Sequence, residues 1–238
     1  MDLLGKALKD FYQGNAASQL LSHSSLDAAE EVPIDYFFRD FEQMPKLERI
    51  ALQNCRGAVL DIGCGAGSHS LYLQDHGIRV MGLDQSARAI EVTRSRGLRQ
   101  TFCGDILEFE VGKFDTLLLL MNGIGIAGTL EGLKKLLRHL TGLLNPGGQI
   151  LMDSSDLIYM FETDTDGGVW VPGEVAYYGE VTYKWEYGGL KGNPFRWLFV
   201  DSRTLEKEAS QLGYHMELLE MGDHYDYLAR LTRQAYQN

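Results

Sequence analysis

Ala58-Val59-Leu60-Asp61-Ile62-Gly63-Cys64-Gly65-Ala66-Gly67 joins a short branched apolar run to three glycines at alternate positions. The apolar run reads as a buried strand and the glycines as a tight turn into a helix. Glycine lets the backbone approach a ligand closely, and a helix N-terminus offers free N–H groups to an anion. Taken alone, such a turn fits a dinucleotide site, a nucleoside site or a plain tight turn.

Outward from it, Gly57 to Ser155 alternates short β-like runs with helix-period segments. That rhythm predicts βα units and a parallel sheet, an α/β fold. The strands read as 58 to 62, 79 to 84, 99 to 103, 115 to 121 and 149 to 154. Leu130, Leu133, Leu136, Leu137, Leu140, Leu143 and Leu144 form a leucine stripe at helical spacing, read as core, which stops at Asn145-Pro146-Gly147-Gly148.

Spacing narrows the reading of the turn. A dinucleotide fingerprint wants a third small residue at G-x-G-x-x-G, and that position is Ser68. The pattern is instead D-x-G-x-G-x-G, led by Asp61. Asp84 closes the second strand, 23 residues beyond Asp61, where a carboxylate can accept both hydroxyls of a ribose. Gly104-Asp105-Ile106 follows the third strand, placed to read an adenine edge, and Met121-Asn122-Gly123 follows the fourth.

In order and register, VLDIGCGAG, VMGLD, CGDI, FDTLLLLMNG and LNPGGQILMD resemble the class I S-adenosylmethionine-dependent methyltransferases, small-molecule type. The resemblance implies a Rossmann-like fold: a mostly parallel seven-stranded sheet with helices on both faces, here with an antiparallel β insertion after strand five. It implies S-adenosylmethionine as cofactor, with Gly63, Gly65 and Gly67 shaping its loop. Asp61 would hold the methionine ammonium, through water, and Asp84 the ribose diol, with Gln85 beside the adenine. Gly104 and Asp105 would meet the adenine edge, Asp105 at the amino group, while Ile106 covers the ring; Met121 and Asn122 would border the methionyl chain. Asp61 as a turn cap and Asp105 as a helix start are the structural alternatives.

The sulfonium methyl of that cofactor is already activated, so aligning an acceptor and excluding water is the protein's main task. Where strand five ends, Asp153 and Asp156 are acid/base candidates, with Tyr159 nearby; His69 is another, with a bond to the loop backbone as its alternative. Asp35-Tyr36-Phe37-Phe38-Arg39 would fold over the cofactor, Arg39 pairing its carboxylate and Tyr36 closing the transfer site, or else anchor the N-terminal helix. The stretch after strand four lacks the Asn/Asp-Pro-Pro-aromatic loop that marks base or amide-nitrogen methylation in related enzymes.

Residues 1–56 read as a helical flank or lid, with helices near 2 to 14 and from Lys46 to Asn54 around a polar stretch; 57–238 form the methyltransferase domain. Residues 156–200 break the βα rhythm. Ten of the forty residues 161–200 are aromatic, among them Trp170, against 11% of the chain, which predicts antiparallel strands and a pocket wall.

With 22 Lys+Arg against 33 Asp+Glu, the net charge of −11 argues against nucleic acid and suits a neutral or cationic small-molecule acceptor. The basic segment Arg88 to Arg99 reads as a solvated helix face and turn. No apolar run approaches the 18 residues or so of a membrane span, and no signal peptide is evident, so a cytoplasmic location and no membrane partner are expected. Cys55, Cys64 and Cys103 form no ligand pattern, so no metal is assigned. The insertion's strands would pair two subunits in a homodimer. A nicotinamide-dependent oxidoreductase and a noncatalytic S-adenosylmethionine-binding module are the competing readings, and protein acceptors stay open.

Overall fold

The computed structural model describes residues 1–15, 18–161 and 176–233. In chain order α1 (Leu3–Tyr12), β1 (Leu20–Ser24), β2 (Glu30–Val32) and α2 (Lys46–Asn54) precede the alternating region. That region comprises β3 (Ala58–Ile62), α3 (Ser68–Asp75), β4 (Arg79–Asp84), α4 (Ala87–Ser95), β5 (Thr101–Cys103), β6 (Phe114–Leu119), α5 (Leu130–Leu143) and β7 (Leu144–Ser155). Then come β8 (Glu180–Tyr187), β9 (Leu190–Lys191), β10 (Phe195–Leu198), α6 (Ser202–Gln211), β11 (Tyr214–Met221) and β12 (Asp226–Arg233).

Seven strands form the main sheet in the order β11-β12-β7-β6-β3-β4-β5, parallel from β7 to β5, with β12 antiparallel to β7 and β11 antiparallel to β12. Both faces are apolar, because successive residues point to opposite sides and both sides carry helices. Leu60, Leu117, Leu119, Ile150 and Met152 pack with the α5 leucines on one side. Val59, Leu118 and Leu151 pack with Leu47 and Leu52 of α2 and Leu73 of α3 on the other. The expected leucine stripe is thus core, with Leu133, Leu137 and Leu140 fully buried. The chain reverses its direction of travel between β3 and β6, which opens a crevice at the carboxyl ends of those strands, where open α/β sheets bind ligands.

Two expectations change. The flank is not purely helical: the polar stretch after α1 holds β1, whose five residues pair with Tyr183–Tyr187 of β8, and β2 pairs with β1. Flank and insertion therefore build a second sheet together, β10-β8-β1-β2 with β9 on β8. A strand such as Leu-Leu-Ser-His-Ser shows no strong alternation because its outward side chains meet water. Likewise, Asn145 to Gly148 is no separate turn; β7 starts at Leu144 and is irregular opposite Phe114 to Thr116, with Gly147 at φ 75°. Trp170 lies outside the described residues.

Candidate active site

The glycine loop leaves β3 with Gly63, Gly65 and Gly67 at φ 77°, 54° and 86°, values that other residues adopt only with strain. Their roles divide. A Cβ on Gly63 or Gly65 would meet nothing within 4 Å, so these two face open space; one on Gly67 would sit 2.8 Å from Thr93 Cγ2. Thr93 Oγ1 donates to Gly65 O at 2.7 Å and Arg96 Nη1 to Ala66 O at 2.6 Å, pinning the loop from α4 and its C-cap. Arg96 also lies 5.0 Å from the Phe38 ring centre, so the basic segment is not merely a solvated face.

Below the loop, the Asp84 carboxylate accepts from Gly65 N at 2.9 Å and Ser86 N at 2.8 Å. Burial pushes its pKa up, against the pull of those two bonds. Each oxygen accepts one backbone bond, which leaves further lone pairs of the carboxylate for a ribose diol. Asp61 is buried and accepts from Ser70 Oγ at 2.6 Å, so it holds the first turn of α3 as well as facing the loop. Desolvation raises its pKa, with His69 and the Ser70 bond pulling the other way. Gln85 and Asp105 are exposed, and Ile106 is buried next to them. One Asp105 oxygen caps the turn Ile106–Glu108 by accepting from Leu107 N at 2.9 Å; Gly104 N donates to Asp84 O at 3.0 Å.

On the far side of the loop lies a buried charge cluster. Glu48, on α2, receives Arg39 Nη2 at 3.0 and 3.1 Å on its two oxygens and lies 2.6 Å from His69 Nε2. Arg39 stacks at 3.4 Å on the Tyr36 ring and donates from Nε to Tyr36 O at 2.6 Å. Only 9% of its side chain is exposed, yet Nη1 is buried without a partner. His69 consequently bonds Glu48 and not the loop backbone. Burial alone would raise Glu48, but the His69 bond and the charges of His69 and Arg39 hold its pKa below the usual range. Burial would lower His69, but the Glu48 bond and the charges of Asp61, Glu48 and Asp153 hold it above.

At the end of β6, Met121 and Asn122 both sit in the left-handed region, at φ 62° and 53°. Asp153 holds them there: its two oxygens accept from Met121 N at 3.2 Å and Asn122 N at 2.9 Å. Two consecutive non-glycine residues in this region are strained, and such strain concentrates at functional sites. Burial and the charge of Glu48 push Asp153 up to about 7. Asp156 is committed elsewhere. Its Oδ1 accepts from Ile158 N at 2.9 Å and Tyr178 Oη at 2.7 Å, so its main task is to cap the turn Leu157–Met160.

The structure thus gathers Tyr36, Arg39, His69 and Asp153 on one side of the loop and Asp84, Asp105 and Ile106 on the other. Sequence reasoning missed Glu48, Arg96 and Ser70. An acid at an inward position of an amphipathic helix was the available signal for Glu48, since a buried carboxylate requires a cation.

Two observations fit S-adenosylmethionine or its product to these residues: the open cradle at Gly63 and Gly65, and the buried, unpartnered Arg39 Nη1, which would take a carboxylate. The fold and site define an α/β protein with an open ligand crevice at the carboxyl ends of β3 and β6. A methyltransferase domain family model matches residues 59–148. A solved S-adenosylmethionine-dependent methyltransferase from Bacteroides fragilis, in complex with S-adenosylhomocysteine, is 41% identical, covers 98% of this chain and 95% of its own, and superposes with a TM-score of 0.91. The chain belongs to the class I S-adenosylmethionine-dependent methyltransferases. Curated relatives are similar over shorter stretches. The ribosomal RNA small subunit methyltransferase C of Klebsiella pneumoniae is 32% identical over 105 residues, 40% of this chain, and this chain spans only 30% of its length. The cypemycin N-terminal methyltransferase of a Streptomyces species is 30% identical over 102 residues, 41% of this chain and 42% of its own. Among the described residues no helix is long and apolar enough to cross a membrane.

Proposed function

We propose that this protein transfers a methyl group from S-adenosylmethionine to a small-molecule acceptor. The observation that carries this reading is the buried Arg39 Nη1, left without a partner beside a loop whose Gly63 and Gly65 face open space. Bound there, the cofactor supplies a methyl on a sulfonium, which needs no covalent enzyme intermediate. Arg39 takes the methionine carboxylate, Asp61 the ammonium through water and Asp84 the ribose diol, while Gln85, Gly104, Asp105 and Ile106 frame the adenine. Met121 and Asn122, clamped by Asp153, border the methionyl chain.

Tyr36 closes the transfer site over Arg39 and excludes water. Asp153 has a pKa near the operating pH and accepts the acceptor's proton. His69 is bonded to Glu48, which raises its pKa, and serves to position that carboxylate, not as a base. The balance of −11 supports a small acceptor over ribosomal RNA, whose phosphates need a basic face.

Calorimetric titration with S-adenosylmethionine, S-adenosylhomocysteine and NADH tests this on the wild type and Asp84→Ala. Micromolar binding of the two sulfur ligands, weakened at least tenfold in the variant, is expected. Binding of NADH alone, or of none of the three, would overturn this reading of the site.

A further inference from the structure

The second sheet sorts its side chains by polarity. Directly paired antiparallel residues share a face, and the register puts Tyr183, Trp185, Phe195 and Trp197 on one face together with Glu30. His23, Lys184, Lys191 and Arg196, the cationic or titratable basic groups of these strands, all fall on the opposite face. That opposite face also carries Glu31, Glu180 and Glu186, and there His23 and Lys191 pair with Glu186 and Arg196 with Glu180.

Both ends of the aromatic face are used by the fold. Tyr187 is buried in the cluster with α1, and Trp197 lies so close over Gly125 that a Cβ there would overlap the indole. The middle is not used up. Tyr183, Trp185 and Phe195 are each only partly buried, with ring centres 6.2 Å apart for Tyr183 and Phe195 and 6.1 Å for Trp185 and Phe195. Phe199 extends the group, 6.2 Å from Tyr183. Just beyond the end of β7, Tyr159 stacks on Tyr225 at 5.1 Å, and 54% of Tyr159 is exposed. Burial raises the Tyr183 hydroxyl, and the charges of Glu30 and Tyr159 add to it.

An array of ring faces with a carboxylate at its rim attracts a positive charge, because aromatic quadrupoles present negative faces; at the Tyr187 end of the same face Lys6 Nζ already lies 5.0 Å from the ring centre. Arg39, a buried guanidinium, is paired with Glu48. We infer that the methyl acceptor is a cationic amine, held by Tyr183, Trp185 and Phe195 with Glu30 as its counter-charge. This rests on the methyltransferase reading and names its substrate class. The ammonium loses one proton to the Asp153 carboxylate; the freed nitrogen lone pair forms the N–C bond as the C–S pair stays on sulfur. The methylated product leaves as an ammonium.

The test uses tetramethylammonium as probe and tert-butanol as its neutral counterpart of similar shape. Each is titrated into the S-adenosylhomocysteine-loaded protein and followed by tryptophan fluorescence, with product binding measured by calorimetry on the same samples. Tetramethylammonium is expected to bind at least tenfold more tightly than tert-butanol. Tyr183→Leu should remove most of that preference and Glu30→Gln part of it, while Tyr183→Phe, which keeps the ring, retains it. Normal S-adenosylhomocysteine binding with no cation preference would overturn the amine inference alone. Loss of S-adenosylhomocysteine binding in the wild type would overturn both readings.

Discussion

Replacing Glu48 by glutamine keeps the shape of the side chain and removes the anion between two buried partners. Three contacts change: Arg39 Nη2 to both oxygens, at 3.0 and 3.1 Å, and His69 Nε2 at 2.6 Å. A hydrogen bond to a charged group contributes about 1.5 to 3 kcal/mol and a neutral one about 0.5 to 1.5, so each partner loses about 1 kcal/mol. The glutamine NH2 also faces a donor, leaving one buried donor unsatisfied at about 1 kcal/mol or more. The sum, about 3 kcal/mol, lies at the low end for breaking a buried pair, because His69 can release its proton. In a domain of this size that lowers Tm by about 6 to 12 °C.

The loss depends on pH. Glu48, with its pKa below 4.5 in the fold, stabilises above that value and loses its contribution as pH falls through the depressed pKa. His69, held above 6.5, contributes below that value and loses its contribution as pH rises through the raised pKa. The Tm gap between wild type and Glu48→Gln is therefore widest near pH 5.5 and narrower at pH 9. Calorimetry adds a second readout. With Arg39 no longer held, S-adenosylmethionine affinity falls about tenfold, the equivalent of 1.4 kcal/mol, while 5′-methylthioadenosine, which lacks the amino-acid end, binds as before. A Tm gap under about 1 °C at both pH values, or one that grows at pH 9, would refute the reasoning.

Asp153, pushed up to about 7, keeps a proton in the fold that an ordinary carboxyl near 3.8 has released, so stability falls as pH rises between those values. Urea titrations from pH 4.5 to 8 should show Asp153→Asn gaining on the wild type as pH rises; a flat difference would refute the shift. Gly67→Ala combines φ 86° with a 2.8 Å contact to Thr93 Cγ2 and should cost about 2 to 4 kcal/mol in denaturant unfolding. Gly63→Ala, at φ 77° but facing open space, should cost only about 1 to 2 kcal/mol and register mainly as weaker S-adenosylmethionine binding. Equal stability losses in the two alanine variants would contradict the division of roles in the loop.

The parallel sheet was legible because its strands are short, apolar and separated by helices with a clear stripe, as in Leu133 to Leu140. The nucleotide-facing edge was legible because the glycine and carboxylate positions follow from local chain geometry. What was hidden depends on partners distant in sequence. β1 has no pattern of its own, since its ladder partner is β8, so a polar pentapeptide read as a loop. Glu48 looked like any acid on an amphipathic helix until Arg39 and His69 closed around it. Asp156 and Asp153 were equivalent by sequence position, and only their bonds separate a turn cap from a clamp on a strained loop.

The joint origin of the second sheet sets an order of events during synthesis. His23 and its cross-strand neighbour Glu186 are 163 residues apart, so β1 waits for its partner until the βα region has left the ribosome. Closing so long a loop on an open chain is slow, and contacts of high sequence separation delay folding. Once the main sheet has collapsed, α1 docks on α4 and the remaining search is short. The aromatic wall proposed above is accordingly completed only once β8 has paired with β1, and nascent chains halted before Glu180 hold the glycine loop without that wall.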